Sequence, residues 1–110
     1  MEQVLLVLSN LPDDASAHAL ARQLVEQRVA ACVNILPAVR SVYQWQGQVE
    51  QATEVTLLMK TTHLRYPELE SAIRNAHPYE VPEIIAVPIV AGLPAYLNWV
   101  EQETTKGIDV

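Results

Sequence analysis

The sequence predicts an α+β fold, a ferredoxin-like βαββαβ sandwich with an extra C-terminal helix and a long hairpin joining its second and third strands. Three observations lead there. Four segments carry the short apolar runs or period-two alternation of strands, and three carry the helical period. They follow one another as strand, helix, strand, strand, helix, strand, helix, and the first six form the split βαβ pattern. Right-handed crossovers then set the first two helices on one face of a four-stranded antiparallel sheet, and apolar residues on the other face must meet another subunit or the third helix. At 110 residues the chain makes one domain, 1–110, and 50% of it is hydrophobic, a high share for so small a protein. The surplus apolar surface implies burial between subunits.

Val4 to Leu8 is a continuous apolar run suited to a central strand. Asn10 to Asp14 is its turn, and Asp13 or Asp14 is placed to cap the helix that follows. That helix spans about Ala15 to Arg28, with Leu20, Ala21, Leu24 and Val25 on its buried side. His18 falls among polar and small positions, as a solvated histidine does. Ala30 to Ile35 is the second strand. Pro37 interrupts it and requires a bulge, a bend or an edge position. Alternation then resumes through Val39, Ser41, Tyr43 and Trp45, and Gly47 marks the turn. Thr53 to Lys60 pairs back, with Val55, Leu57 and Met59 on one face. The hairpin is longer than a small sheet needs, so its tip should project.

Pro67 suits a first helical turn, and Leu69, Ala72, Ile73 and Ala76 complete a second helix over Tyr66 to Ala76. The fourth strand is expected over Glu83 to Val90, ended by Gly92. Leu93-Pro94 opens a third helix whose Tyr96, Leu97, Trp99 and Val100 are expected to pack inward. Thr104 to Val110 is expected to fray.

Charge and cysteine content exclude several function classes. Acids outnumber bases 13 to 7, for a net charge of −6, and the bases form no stripe. Nucleic acid is therefore not expected as a partner. No apolar run approaches the ~20 residues that cross a bilayer. The apolar run after Met1-Glu2 lacks a basic leader and reads as a strand, not a signal peptide. Cys32, the lone cysteine, admits no intrachain disulfide and reads as a small buried core residue. These features predict a cytoplasmic protein.

The densest group of reactive side chains is His77-Pro78-Tyr79-Glu80-Val81-Pro82-Glu83. It joins an imidazole, a phenol and two carboxylates to a backbone that two prolines hold extended. No nucleophile with an adjacent base and no glycine-rich loop accompanies it, so an enzyme is not expected. A carboxylate-based hydrolase is the weakest of the readings.

Ala30-Ala31-Cys32-Val33-Asn34, Tyr43-x-Trp45-x-Gly47, Lys60-Thr61, the His77 to Glu83 segment and Tyr96-Leu97-x-Trp99 occur in this order. With them the chain resembles the CutA divalent-cation tolerance family from Val4 to about Val100. The resemblance implies a protomer related in shape to PII signalling proteins and a tight homotrimer whose strands pair across subunits. It implies a non-enzymatic role in tolerance of divalent metal ions, with copper or another such ion as a possible ligand and no obligatory cofactor. Where the family's copper ligands are assigned, they are a cysteine ending strand one and two histidines before Pro-Tyr. By position these fall on Ser9, Ala76 and His77, and only His77 matches. The alternative is a PII-like signalling or scaffold module that binds a small anion or a protein in an inter-subunit cleft. Lys60, Tyr79, Glu80 and Glu83 are the candidate cleft residues. Each has a plainer reading: a snorkelling surface lysine, a hydrogen-bonded packed phenol, and carboxylates paired across a subunit boundary.

Overall fold

The computed structural model describes residues 2–106. Its elements are β1 (Val4–Leu11), α1 (Asp14–Glu26), β2 (Cys32–Trp45), β3 (Gln48–Thr62), α2 (Tyr66–Ala76), β4 (Ile85–Pro88) and α3 (Pro94–Thr104). The four strands form one antiparallel sheet in the order β2-β3-β1-β4. This is the expected sandwich with its added C-terminal helix.

Strand register decides which side chains meet the helices. Val7 lies opposite Met59, and Leu11 opposite Val55. These residues join Leu57 and the α1 and α2 residues Ala17, Leu20, Leu24, Leu69 and Ile73 in the main core. Period-two alternation sends the intervening residues to the other face. There Leu8 lies opposite Leu58 and beside Ile85, while Leu6 lies opposite Lys60 and beside Val87. None of these apolar residues is fully buried, and Ile85 and Val87 are exposed. α1 and α2 leave this face open.

Asp13 caps α1: its carboxylate accepts the Ser16 N–H at 2.7 Å. That bond holds its carboxyl below the usual range. The buried stripe is Ala17, Leu20, Ala21 and Leu24, an i, i+3, i+4, i+7 series. Val25, expected inside, lies beyond that stripe and is 41% exposed. The helix ends at Glu26 rather than Arg28, because Arg28 adopts a left-handed backbone with φ 60.

β2 is continuous across Pro37, but the ladder shifts between Leu36 and Val39. Ala38 there is left-handed, with φ 58. The extra residue is a β-bulge that reverses the alternation beyond it. Before the bulge Asn34 and Leu36 occupy the open face; after it the odd residues Val39, Ser41 and Tyr43 do. Gln46 and Gly47, with φ of 50 and 81, form the two-residue turn, whose twist matches that of the flanking strands. The hairpin projects as expected, and β3 is longer than expected, pairing from Gln48 onward.

β4 is shorter than the expected Glu83 to Val90. Its pairing with β1 runs from Ile85 to Pro88, after which the Ile89 N–H bonds the Val4 carbonyl at 3.0 Å. In α3, Val100 is buried with Val4 and Ala31, and Leu97 packs against them. Tyr96 and Trp99 do not pack inward as expected; each is 40% exposed, their rings 5.6 Å apart. The inward stripe is Leu97, Val100 and Thr104, and the aromatics flank it. Thr104 does not fray: it is buried and its hydroxyl donates to the Val100 carbonyl at 2.8 Å. Arg28 fastens this end by donating to the Gln102 and Thr105 carbonyls. Residues 107–110 of the expected tail lie outside the described residues.

Ser9 is the one buried side chain whose polar atom lacks a hydrogen-bond partner among the described residues. It sits on the core face of β1, opposite Leu57. A buried, unpaired hydroxyl costs free energy that a methyl does not. Ser9→Ala should therefore raise stability by about 1 kcal/mol in urea unfolding. A loss of similar size would mean that the hydroxyl has a partner.

Candidate functional site

The site is built where α2 stops. Pro78 disfavours helical backbone at His77, which adopts φ −78, ψ 135 as the helix C-cap. This turns the buried imidazole toward β1, where Nε2 lies 2.6 Å from the Asn10 carbonyl oxygen. Nδ1 accepts the Tyr79 backbone N–H at 3.1 Å. A carbonyl on one nitrogen and an N–H on the other assign the neutral tautomer with its proton on Nε2. Both ring nitrogens are thus engaged within the chain.

Tyr79 stacks 4.7 Å from the His77 ring, tilted by 54°. Its hydroxyl donates to Glu54 Oε2 at 2.9 Å. Burial pushes this phenol up to about 12, with Glu54 adding to the shift, so it remains a proton donor at neutral pH. Glu54 comes from β3, is only 6% exposed, and lies on the sheet's open face with Thr56 and Leu58. Asn10 ties the other side: its amide donates to Glu83 at 3.1 Å, and its oxygen accepts the Thr56 hydroxyl at 2.6 Å.

Between this segment and the hairpin lies a cavity of ≈ 610 Å³. Glu54, Glu80 and Glu83 stand on its walls, with Tyr43, Trp45 and Tyr79. The bulge at Ala38 places Tyr43 on the same face as Glu54. Among the described residues no lysine, arginine or histidine lines the cavity.

The expected cleft residues therefore divide. Tyr79, Glu80 and Glu83 come together. Lys60 lies elsewhere on β3, its ammonium bonded to the Asn34 amide oxygen and 3.8 Å from Cys32 Sγ. Cys32 is half-buried rather than a core residue, because it opens β2 on the face away from α1 and α2. Burial and then Cys32 push the nearby Tyr96 phenol up. Of the three positions that the resemblance put forward, Ser9 is in the core, Ala76 ends α2 exposed, and His77 is buried. Among the described residues no three His, Cys, Asp or Glu side chains converge to hold one metal ion. Sequence reading missed Glu54, Asn10 and Thr56, which the register alone brings to this place.

Residues 5–103 match the family model described as CutA1 divalent ion tolerance protein. The chain belongs to the CutA1 family. The Divalent-cation tolerance protein CutA of Thermus thermophilus is 45% identical over 104 residues, 94% of this chain and 99% of that protein. A solved Cut A1 structure, also from Thermus thermophilus, superposes with a TM-score of 0.91 at 44% identity, covering 93% of this chain and 99% of that one. Protein CutA of Mus musculus is 45% identical over 93 residues, 84% of this chain but 52% of the mouse protein. The chain thus spans about half the length of that mammalian relative. A structure described as the periplasmic divalent cation tolerance protein CutA from Archaeoglobus fulgidus has a TM-score of 0.89 at 32% identity, covering 93% of this chain and 99% of that one. Among the described residues of this CutA1 family member, no helix is long and apolar enough to cross a membrane.

Proposed function

We propose that this CutA1 family member acts without catalysis, as a cytoplasmic homotrimer in divalent metal ion tolerance, with copper as a candidate ion. Family membership carries the tolerance role. The trimer reading is supported by the open sheet face, where Leu6, Leu8, Leu58, Ile85 and Val87 stand together. Apolar surface of this kind favours burial against other copies. The lone Cys32 supports the cytoplasmic placement.

His77 is the candidate metal ligand, through the Nδ1 lone pair that now accepts the Tyr79 N–H. One imidazole per chain is too little for a transition metal, so symmetry copies or added ligands must complete the site. Titration calorimetry with Cu(I), Cu(II) and Zn(II) tests this against His77→Ala. Micromolar binding to the native protein that disappears in the variant is expected. Binding that survives in the variant would move the site away from His77.

A second reading, a PII-like module for a small anion, is favoured by Lys60. Its ammonium stands on the open face with no carboxylate partner among the described residues.

A further inference from the structure

The open sheet face carries charges of opposite sign that the single chain keeps apart. Midway along β3, the buried Glu54 lines the cavity with Glu80 and Glu83. The Tyr79 hydroxyl occupies Glu54 Oε2, while Oε1 has no hydrogen-bond partner among the described residues. A carboxylate this deeply buried ordinarily has a cation beside it. Within the chain none lines the cavity among the described residues. Near the end of β3 stands Lys60. Its ammonium meets the Asn34 amide oxygen and Cys32 Sγ but no carboxylate among the described residues.

Glu54 and Lys60 cannot meet within one chain. They share a face of β3, but six residues of extended strand separate them by about 20 Å. A ring of three copies can bring them together, because its contact is heterologous: one patch of a copy meets a different patch of the next. The other cations are engaged or placed elsewhere. Arg65 and Lys106 pair with Glu68, and Arg22 pairs with Glu26. Arg28 holds the end of α3. Arg40 follows the bulge on the opposite face of β2, and Arg74 belongs to α2 in the helix layer. Lys60 is therefore the cation that the open face presents to a neighbouring copy.

We propose that each copy inserts Lys60 into the acidic cavity of its neighbour, so that the cavity is complete only in the assembly. The ammonium meets Glu54 Oε1, with Glu80 and Glu83 beside it, and its methylenes lie against Tyr43 and Trp45. This inference rests on the homotrimer reading and deepens it, because it names the contact by which one copy recognises the next. It also replaces the small anion at Lys60 with a neighbour's carboxylate.

The test is sedimentation over a dilution series of the full chain, comparing the native protein, Glu54→Gln, Lys60→Gln and the double variant. Each single substitution should raise the concentration at which the trimer dissociates by about tenfold or more, the loss of one charged contact at every interface. The double variant should dissociate no more readily than either single one. Side chains so far apart in one chain act additively, so this non-additivity reports a contact between copies. The charge-swapped chain with Glu54→Lys and Lys60→Glu should assemble more tightly than either reversal alone. If Glu54→Gln does not fold, carbodiimide coupling of the native trimer replaces it. Coupling should join Lys60 of one chain to a cavity carboxylate of another, giving covalent dimers and trimers. A native trimer in which the two substitutions add, or in which Lys60 couples to none of these carboxylates, would overturn the pairing and leave the trimer standing. A native protein that is a single chain at micromolar concentration would overturn both.

Discussion

Leu58→Asp is expected to convert the proposed trimer into folded single chains. Leu58 sits at the centre of the open face, opposite Leu8 on β1 and beside Asn34 on β2. Within the protomer it is half-buried and lies outside the core between sheet and helices, so an aspartate there remains partly solvated. The same aspartate in an interface of three symmetric copies is different. In the proposed interface each introduced carboxylate would lose water, at a cost of several kcal/mol. Sedimentation at micromolar concentration should therefore show the mass of one chain, while far-ultraviolet circular dichroism stays native. An assembly that survives the substitution would mean that the open face is not where copies meet.

Arg65→Ala is expected to destabilise the fold by about 2 kcal/mol, the range for losing hydrogen bonds to a charged group. Arg65 is buried at the N-cap of α2. Its guanidinium donates to the carbonyls of Gln27 and Arg28 just past the end of α1, at 3.3 to 3.4 Å. It also meets Glu68 at 2.5 Å, which holds that carboxyl below its usual range. A cation at a helix C-terminus satisfies carbonyls that the helix leaves unpaired. Alanine removes those donors and leaves the carbonyls half-enclosed. Arg65→Lys should recover only part of the loss, since an ammonium lacks the planar fork that reaches three acceptors. Urea unfolding gives both values. A loss in Arg65→Ala no larger than that of an exposed substitution would show that the guanidinium is replaceable by water.

Much of this architecture is legible in the residues, for identifiable reasons. α2 matches its expected span, Tyr66 to Ala76, because Pro67 starts it and Pro78 ends it. The interruption at Pro37 is visible too, and it proves to be a bulge. What alternation cannot reveal is that the bulge reverses the strand's faces, so that Tyr43 joins Glu54 instead of the opposite side. The third helix misleads for a different reason. Tyr96, Leu97, Trp99 and Val100 are all large and apolar, yet only a narrow stripe of α3 meets the sheet. Hydrophobicity marks the helix but does not choose among its apolar residues.

The candidate site is only half legible. His77 to Glu83 announces itself through its composition and backbone stiffness. Glu54 reads as one more polar residue on a hairpin strand, because its partner Tyr79 lies 25 positions away. Asn10 likewise looks like a turn residue, although it joins His77, Glu83 and Thr56. Their importance depends on register, which sets residues remote in sequence side by side.

If copies of this chain bury the open sheet face against one another, the unmodified protein is a trimer at micromolar concentration. Light scattering tests this most directly. The expected mass is three times the chain mass of 12.2 kDa. A single 12.2 kDa species at that concentration would contradict it.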